Sequence, residues 1–411
     1  MVASTTHDSA PAVRLPARSA AYVAGLCGLI ALLDGFDTQA IGPAAKAITT
    51  TLHVKMQAFG PVFSASQIGF LIGAIVFGAL GDKLGRKRVL IAMTALFGLS
   101  SLGTALSPSL NWLLALRLLT GLGLGGATPN FVSLACEFAA PRRRASTVTL
   151  LWAAVPAGGM VGAFSAALIL PTLGWKALFL VGGLLPVVLV PLLIAALPES
   201  REAAVARSAP VSELFSQGRA LRTALLWLAS FMTWTTLIVV AFWTPPLLQR
   251  IGWSAPAAAT VLALNNAGGV VGALVTAIAL ARVRPTHALA AVLLCASLAI
   301  AAIAFAVHQP ALLTAAATLA GFCASAAGGA MLALSSSLYP ADARATGVGW
   351  ALGIGRFGSV IGPSVAGALV ARNWSTPSIY LGFAVLPLLA AAFVIALDLA
   401  LRAQPSLEEP R

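Results

Sequence analysis

Apolar residues run through this chain in unbroken blocks about twenty residues long, separated by short stretches that carry the Gly, Pro and charged positions. A bilayer core about 30 Å thick takes roughly 20 apolar residues per helix. The runs are continuous rather than alternating, so they predict helices and not the strands of a barrel. The predicted spans are 20–42, 60–80, 89–107, 111–131, 147–170, 176–197, 222–246, 257–280, 287–307, 311–338, 346–370 and 377–401. The expected fold class is therefore an all-α membrane protein with 12 transmembrane helices. Arg14 and Arg18 precede the first run as they would in a signal peptide, but the run continues into Asp34-Gly35-Phe36-Asp37 without a processing-like break, and it is expected to be a retained helix.

Composition agrees: 59% of residues are hydrophobic, 9% are charged, and the mean hydropathy is +0.94. The net charge of +13 is a matter of topology. With twelve spans both ends lie on one side, and eighteen of the 25 Lys and Arg residues fall there, Lys83, Arg86, Lys87, Arg88 and Arg142 to Arg144 among them. Basic loops mark the cytoplasmic side, so both termini are expected in the cytoplasm. The charge is spread over separate loops, which argues against a nucleic-acid partner. The cysteines Cys27, Cys136, Cys295 and Cys323 sit in or at the ends of apolar spans without metal-ligand spacing, and the four histidines lie in tails or at loop edges. No metal site, cofactor motif or catalytic constellation is expected, and the chain does not read as an enzyme.

The sequence repeats itself. Arg144-Ala145-Ser146 recurs as Arg344-Ala345-Thr346, Gly121 corresponds to Gly321, and residues 63–88 align with 262–285, placing Gly69 over Gly268 and Asp82 over Ala281. Six spans stand on either side of a polar segment. The expected organisation is a cytoplasmic tail over 1–19, a six-helix half over 20–197, a cytoplasmic linker over 198–221, a pseudo-symmetric six-helix half over 222–401 and a tail over 402–411. Inverted and parallel repeats of this kind place a substrate site near the midplane between halves, opened alternately to each side.

Gly78, Asp82, Lys83, Gly85, Arg86 and Lys87 match, in order, the Gly-x-x-x-Asp-(Arg/Lys)-x-Gly-Arg-(Arg/Lys) loop of the major facilitator superfamily, which this stretch resembles. The resemblance implies that Gly78 lets helices approach and that Asp82 pairs with cations or a helix end of the other half when the cytoplasmic side is closed. The second half departs from the pattern, with Ala281 in place of the acid. Asp34-Gly35-Phe36-Asp37, residues 117–130 followed by Glu137, residues 141–146, residues 197–200 and residues 344–363 together resemble the aromatic acid:H+ symporter family over residues 20–400. This implies proton-coupled import of an aromatic carboxylate across a bacterial inner membrane by a chain that works as a monomer. The short linker and Lys55-Met56-Gln57 resemble the 3-(3-hydroxyphenyl)propionate branch, whereas the two-aspartate motif resembles the hydroxybenzoate and protocatechuate carriers, so the substrate stays open among these. A proton-driven exporter has the same fold and loop, but gives Arg356 no task.

A carboxylate inside a bilayer costs roughly 2.5–3.5 kcal/mol even on insertion scales. Asp34 and Asp37, three apart on a helix, project to one side, and burial and repulsion work against two charges there. A proton is the expected third member of that site. At 1.5 Å per residue, Asp37 lies about 8 Å and Arg117 about 9 Å from the outer ends of their helices, so the two can meet and exchange partners during transport. Arg356, about 15 Å into the eleventh helix after Gly353-Ile354-Gly355, is expected to anchor a carboxylate. Asn265, Asn266, Asn130 and Gln67 are expected to bond ring hydroxyls, with Trp152, Trp234 or Phe357 stacking on the ring. Glu137, Arg144 and Arg344 are expected to be gate elements at the cytoplasmic ends.

Overall fold

Every one of the apolar blocks is helical, because in lipid the backbone has to satisfy its own hydrogen bonds within the segment. The computed structural model describes residues 17–200, 210–216, 218–340 and 342–402. Most of the expected tails, and residues 201–209 of the expected linker, lie outside the described residues. Within them the order is α1 (Ala17–Leu52), α2 (Phe59–Leu84), α3 (Arg86–Ala105), α4 (Leu110–Phe138), α5 (Arg144–Thr172), α6 (Gly174–Ala196), α7 (Ala220–Arg250), α8 (Ala255–Ala279), α9 (Pro285–Phe305), α10 (Pro310–Leu338), α11 (Arg344–Ala371) and α12 (Thr376–Arg402). Twelve of the described helices are long and apolar enough to cross a membrane.

The largest departure from the expected spans is the end of α1, which runs to Leu52 rather than stopping at 42. Gly42-Pro43 reads as a stop, but Pro43 sits inside the helix. Tertiary packing holds the continuation. Gln249 Nε2 of α7 donates to the Pro43 carbonyl at 3.1 Å, and Lys46 Nζ donates back to the Gln249 carbonyl at 3.2 Å. For the same reason α4 passes through Pro129 and continues to Phe138, seven residues beyond the expected end. The basic run Arg86 to Arg88, expected in a loop, opens α3 instead, since the connection is Gly85 alone. Its φ of +97° is a conformation side-chain-bearing residues rarely adopt.

The repeat seen in the sequence is a repeat of packing. A Cβ on Gly121 of α4 would stand 2.0 Å from the Ser66 carbonyl oxygen of α2, and one on Gly321 of α10 would stand 1.8 Å from the Asn265 carbonyl oxygen of α8. The same backbone-to-backbone crossing is thus built twice, 200 residues apart. At the face that carries the described chain ends, Lys87 Nζ lies 3.8 Å from Glu199 Oε1 in the first half, while Asp398 in the second accepts from Thr286 at 2.7 Å and lies 3.5 Å from His287 Nε2.

Three large apolar cores divide the described residues, with a small fourth of Ala163, Leu262 and Ala263 joining α5 to α8. One, at the face away from the chain ends, is shared by both halves and includes Ile41, Phe63, Phe179, Phe242, Trp243 and Ile303. The other two lie toward the chain ends and stay within single halves: Leu26, Leu90, Phe131 and Leu193 in α1–α6, and Leu226, Leu289, Met331 and Val394 in α7–α12. The halves are joined at one face and parted at the other. Ser64 of α2 bonds the Val360 carbonyl at 2.6 Å and Ser364 Oγ at 2.8 Å, and Phe63 packs edge-on against Trp243 at 5.6 Å, all on the joined side.

Gln249 is the buried side chain that ties α1 to α7 there. Replacing it by Leu removes one buried hydrogen bond, worth about 1 kcal/mol, and shifts the closed-to-open ratio of that face roughly fivefold. Electron–electron distance measurements between spin labels at Thr50→Cys and Arg372→Cys, both exposed on that face, are expected to show a longer-distance population growing in Gln249→Leu. An unchanged distribution contradicts this.

Candidate functional site

The two acids of α1 are buried and differently partnered. Asp37 is 2% exposed and Arg117 1%. Arg117 Nη1 donates to Asp37 Oδ2 at 3.0 Å, and the Ser101 hydroxyl of α3 donates to Asp37 Oδ1 at 2.5 Å. Arg117 Nη2 donates to Thr104 Oγ1 at 2.9 Å and Thr120 Oγ1 at 3.1 Å, and its guanidinium lies 5.1 Å from the centre of the Phe179 ring. Such a pair is held by its hydrogen bonds as much as by charge, and removing one partner leaves the other stranded. Asp34 accepts from Thr38 Oγ1 at 3.2 Å. The cation whose field bears on Asp34 is Arg356 of the other half.

Between the parted cores lies a cavity of about 280 Å³, walled by α1, α5 and α7 to α12. That is near the lower end of ligand pockets, roughly 300–1,000 Å³. Its lining is mostly apolar, with polar groups from Thr38, Gln39, Asn265, Asn266, Thr233 and Thr236, and with Trp152 and Trp234 supplying ring faces. Arg356 stands one turn beyond Leu352, a lining residue, and is partly exposed. Its guanidinium carbon is 4.0 Å from the centre of the Phe70 ring of α2 and 4.6 Å from that of Trp234 of α7. Among the described residues no carboxylate comes within ion-pair distance of it. Trp234 Nε1 is likewise buried without a hydrogen-bond partner.

The structure brings together Asp37 with Arg117, as expected, although α1's extra length makes the depth arithmetic for Asp37 wrong. Asn265, Asn266 and Trp152 line the cavity. Other expectations need correction. Asn130 is no cavity residue: its Nδ2 donates to the Phe77 and Gly126 carbonyls at 2.9 and 2.7 Å, tying α4 to α2. Gln67 lies in a separate small space with Asp37 and Arg117. Phe357 is half exposed on the outer surface, where it has no access to the cavity. Trp234 offers a ligand only one ring face, since Arg356 lies over the ring.

At the face bearing the chain ends, Arg86 pairs with Asp82 at 2.9 Å and with Glu137 at close range. Asp82 therefore does not reach the other half here, because the cores at that face are parted. Gly78 packs on Pro129 of α4. Lys83, Arg144 and Arg344 are exposed at the same face, and Lys87 is turned toward Glu199. The residues that sequence reasoning missed are Thr38 and Gln39, which follow the two-aspartate motif directly, the Ser101 and Thr104 shell, and Phe70. Hydroxyls one turn apart in an apolar helix were a readable signal for Ser101 and Thr104; nothing marked Phe70.

The Major Facilitator Superfamily profile matches residues 27–316 and 284–411. The chain is 36% identical to the gallate transporter of Pseudomonas putida over 94% of its own length and 93% of that protein's. It is 38% identical to the 3-(3-hydroxy-phenyl)propionate transporter of Escherichia coli, over 86% and 87%, and 36% identical to the 4-hydroxybenzoate transporter PcaK of Pseudomonas aeruginosa, over 90% of each. A bacterial homologue of the human lysosomal transporter Spinster, solved in an inward-facing and occupied conformation, superposes with a TM-score of 0.75 over 94% of this chain and 99% of that one at 19% identity. Twelve membrane-spanning helices, two halves parted around one cavity and these matches together make the chain a multi-pass membrane transporter, not an enzyme: it belongs to the major facilitator superfamily.

Proposed function

We propose that the protein imports an aromatic carboxylate together with protons, by alternating access, across a bacterial inner membrane with both termini in the cytoplasm. In that orientation the parted face is cytoplasmic and the arrangement is inward-facing. The observation that carries the reading is Arg356: a guanidinium one turn from the cavity-lining Leu352, clamped between two rings, with no acid within ion-pair distance among the described residues. A ligand carboxylate supplies the missing partner, helped by the free Trp234 N–H, and an aromatic ring matches the apolar walls and Trp152. The transporters of gallate, 4-hydroxybenzoate and 3-(3-hydroxyphenyl)propionate among its relatives support the same class.

Proton coupling rests on the division of the acids. Asp37 is bound to a cation of its own half, Asp34 is under the influence of one from the other half, and Arg356 is also the carboxylate anchor. A substrate carboxylate on Arg356 competes with Asp34 for the same charge, so binding favours a proton on Asp34. The loaded carrier then crosses with its buried charges balanced, and coupling follows because the two facing states differ in affinity for the proton. The loop residues Gly78, Asp82, Lys83, Gly85, Arg86 and Lys87, with Glu137, Arg144 and Arg344, are the elements that meet when the cytoplasmic side closes.

Uptake of radiolabelled 4-hydroxybenzoate into proteoliposomes is expected to exceed equilibration only with an inward proton gradient; equal accumulation without one contradicts symport. Arg356→Gln is expected to weaken binding about 10- to 100-fold, the loss of a charge-assisted bidentate contact, with Arg356→Lys intermediate. Binding of unchanged affinity in Arg356→Gln removes Arg356 from the site. Arg117→Ala strands Asp37, which is expected to cost about 3–5 kcal/mol in thermal or denaturant stability and to abolish transport, with Asp37→Asn restoring part of the stability. Normal transport by both Arg117→Lys and Arg117→Ala rules out a role for the pair in coupling.

A further inference from the structure

Several polar groups of the cavity wall spend their donors on the protein itself. Thr149, Thr233 and Thr236 turn their hydroxyl hydrogens back onto the carbonyls of Ala145, Ala229 and Met232, at 3.1, 2.7 and 2.8 Å, and Thr38 spends its own on Asp34. Asn265 Nδ2 is taken by the Ala317 carbonyl at 2.7 Å. What the threonine hydroxyls leave toward a ligand is lone pairs, and the Asn265 amide has one donor fewer to offer. A carboxylate is repelled by such a surface, and a ligand hydroxyl is drawn to it.

Gln39 is the sharpest instance. Asn266 Nδ2 bonds the Leu262 carbonyl one turn back at 2.9 Å, which fixes its amide with Oδ1 facing the other half. Gln39 Nε2 answers that oxygen at 3.4 Å, a contact between α1 and α8 across the two halves. The amide of Gln39 is thereby oriented too, and its Oε1 is left buried with no donor. A buried acceptor without a partner is costly unless something supplies the hydrogen. Gly159 of α5 makes the place for this pair: a Cβ there would stand 2.6 Å from Asn266 Oδ1 and 2.8 Å from Gln39 Cγ.

We propose that Gln39 Oε1 accepts the hydrogen of a ring hydroxyl on the substrate, so that Gln39 sets a preference for hydroxylated over unsubstituted aromatic acids. The inference rests on the reading of the cavity as an aromatic-carboxylate site. The carboxylate goes to the Arg356 and Trp234 donors, and the hydroxyl to the acceptor side formed by Gln39 and Asn266. Because the Gln39–Asn266 contact spans the halves, a hydroxyl seated there also bears on the contact that joins them.

Calorimetric binding to the purified full-length transporter tests this with benzoate, its three monohydroxy isomers and their methyl ethers. In the wild type, at least one hydroxybenzoate is expected to bind about tenfold or more tightly than benzoate, and its methyl ether, which keeps an acceptor but has no hydrogen to give, no more tightly than benzoate. In Gln39→Met, of similar length but without polar atoms, the hydroxy-to-unsubstituted ratio is expected to fall to about one. A methyl ether that binds as tightly as its parent phenol overturns the proposal, with no variant needed. So does a ratio that survives in Gln39→Met. If the wild type binds none of these acids, it is the aromatic-carboxylate reading that fails, and the assignment of Gln39 falls with it.

Discussion

The arrangement depends on how α1 distributes two buried carboxylates. Asp37 is locked to Arg117 within the first half, ringed by Ser101, Thr104 and Thr120, and Asp34, three residues earlier, lies under the field of Arg356 in the second. An ion pair out of water is a poor source of stability and a good source of specificity only when its hydrogen bonds are complete. Asp37 has both oxygens satisfied, so it fixes α1 against α3 and α4. Asp34, which accepts from Thr38 on its own helix and has Thr128 of α4 beside it, has no cation bound to it and is the acid left open to change. One helix thus holds one charge rigidly and offers the other to the opposite half.

The apolar packing sets the direction in which that offer acts. The large core that joins the halves lies at one face, and two separate cores part them at the other, with the cavity in the opening. The Arg86 bonds to Asp82 and Glu137 lie within the first half. Arg356 lies one turn beyond the cavity-lining Leu352, with a ring from each half on its guanidinium. Whatever neutralises it is felt by Phe70 on one side and Trp234 on the other.

Much of this was legible in the sequence. Twelve apolar blocks read as twelve helices because lipid leaves the backbone no other choice, and the 200-residue repeat appeared through the glycines that let two helix pairs cross at backbone distance. The meeting of Asp37 and Arg117 was legible because buried charges in lipid need partners and few cations lie inside the spans, although the depth estimate behind it misplaced Asp37. The ends of α1 and α4 were not, because Pro43 and Pro129 are stop signals that neighbouring helices overrule. Asn130 and Gln67 were misplaced because polarity in a span says nothing about helix rotation: an amide that bridges helices and one that lines a cavity look alike until the faces are known. The influence of Arg356 on Asp34 was hidden for the same reason, since it acts between halves from residues 322 positions apart in numbering.

The central claim is that the acids of α1, divided between the halves, couple protonation to which face is open. Spin labels at Arg88→Cys and Arg282→Cys, both exposed at the parted face, report that opening directly when their distance distribution is measured in acidic and alkaline buffer. The account predicts that pH redistributes the open and closed populations in the wild type, and that Asp34→Asn abolishes the response. A distribution that responds to pH equally in the wild type, Asp34→Asn and Asp37→Asn contradicts it.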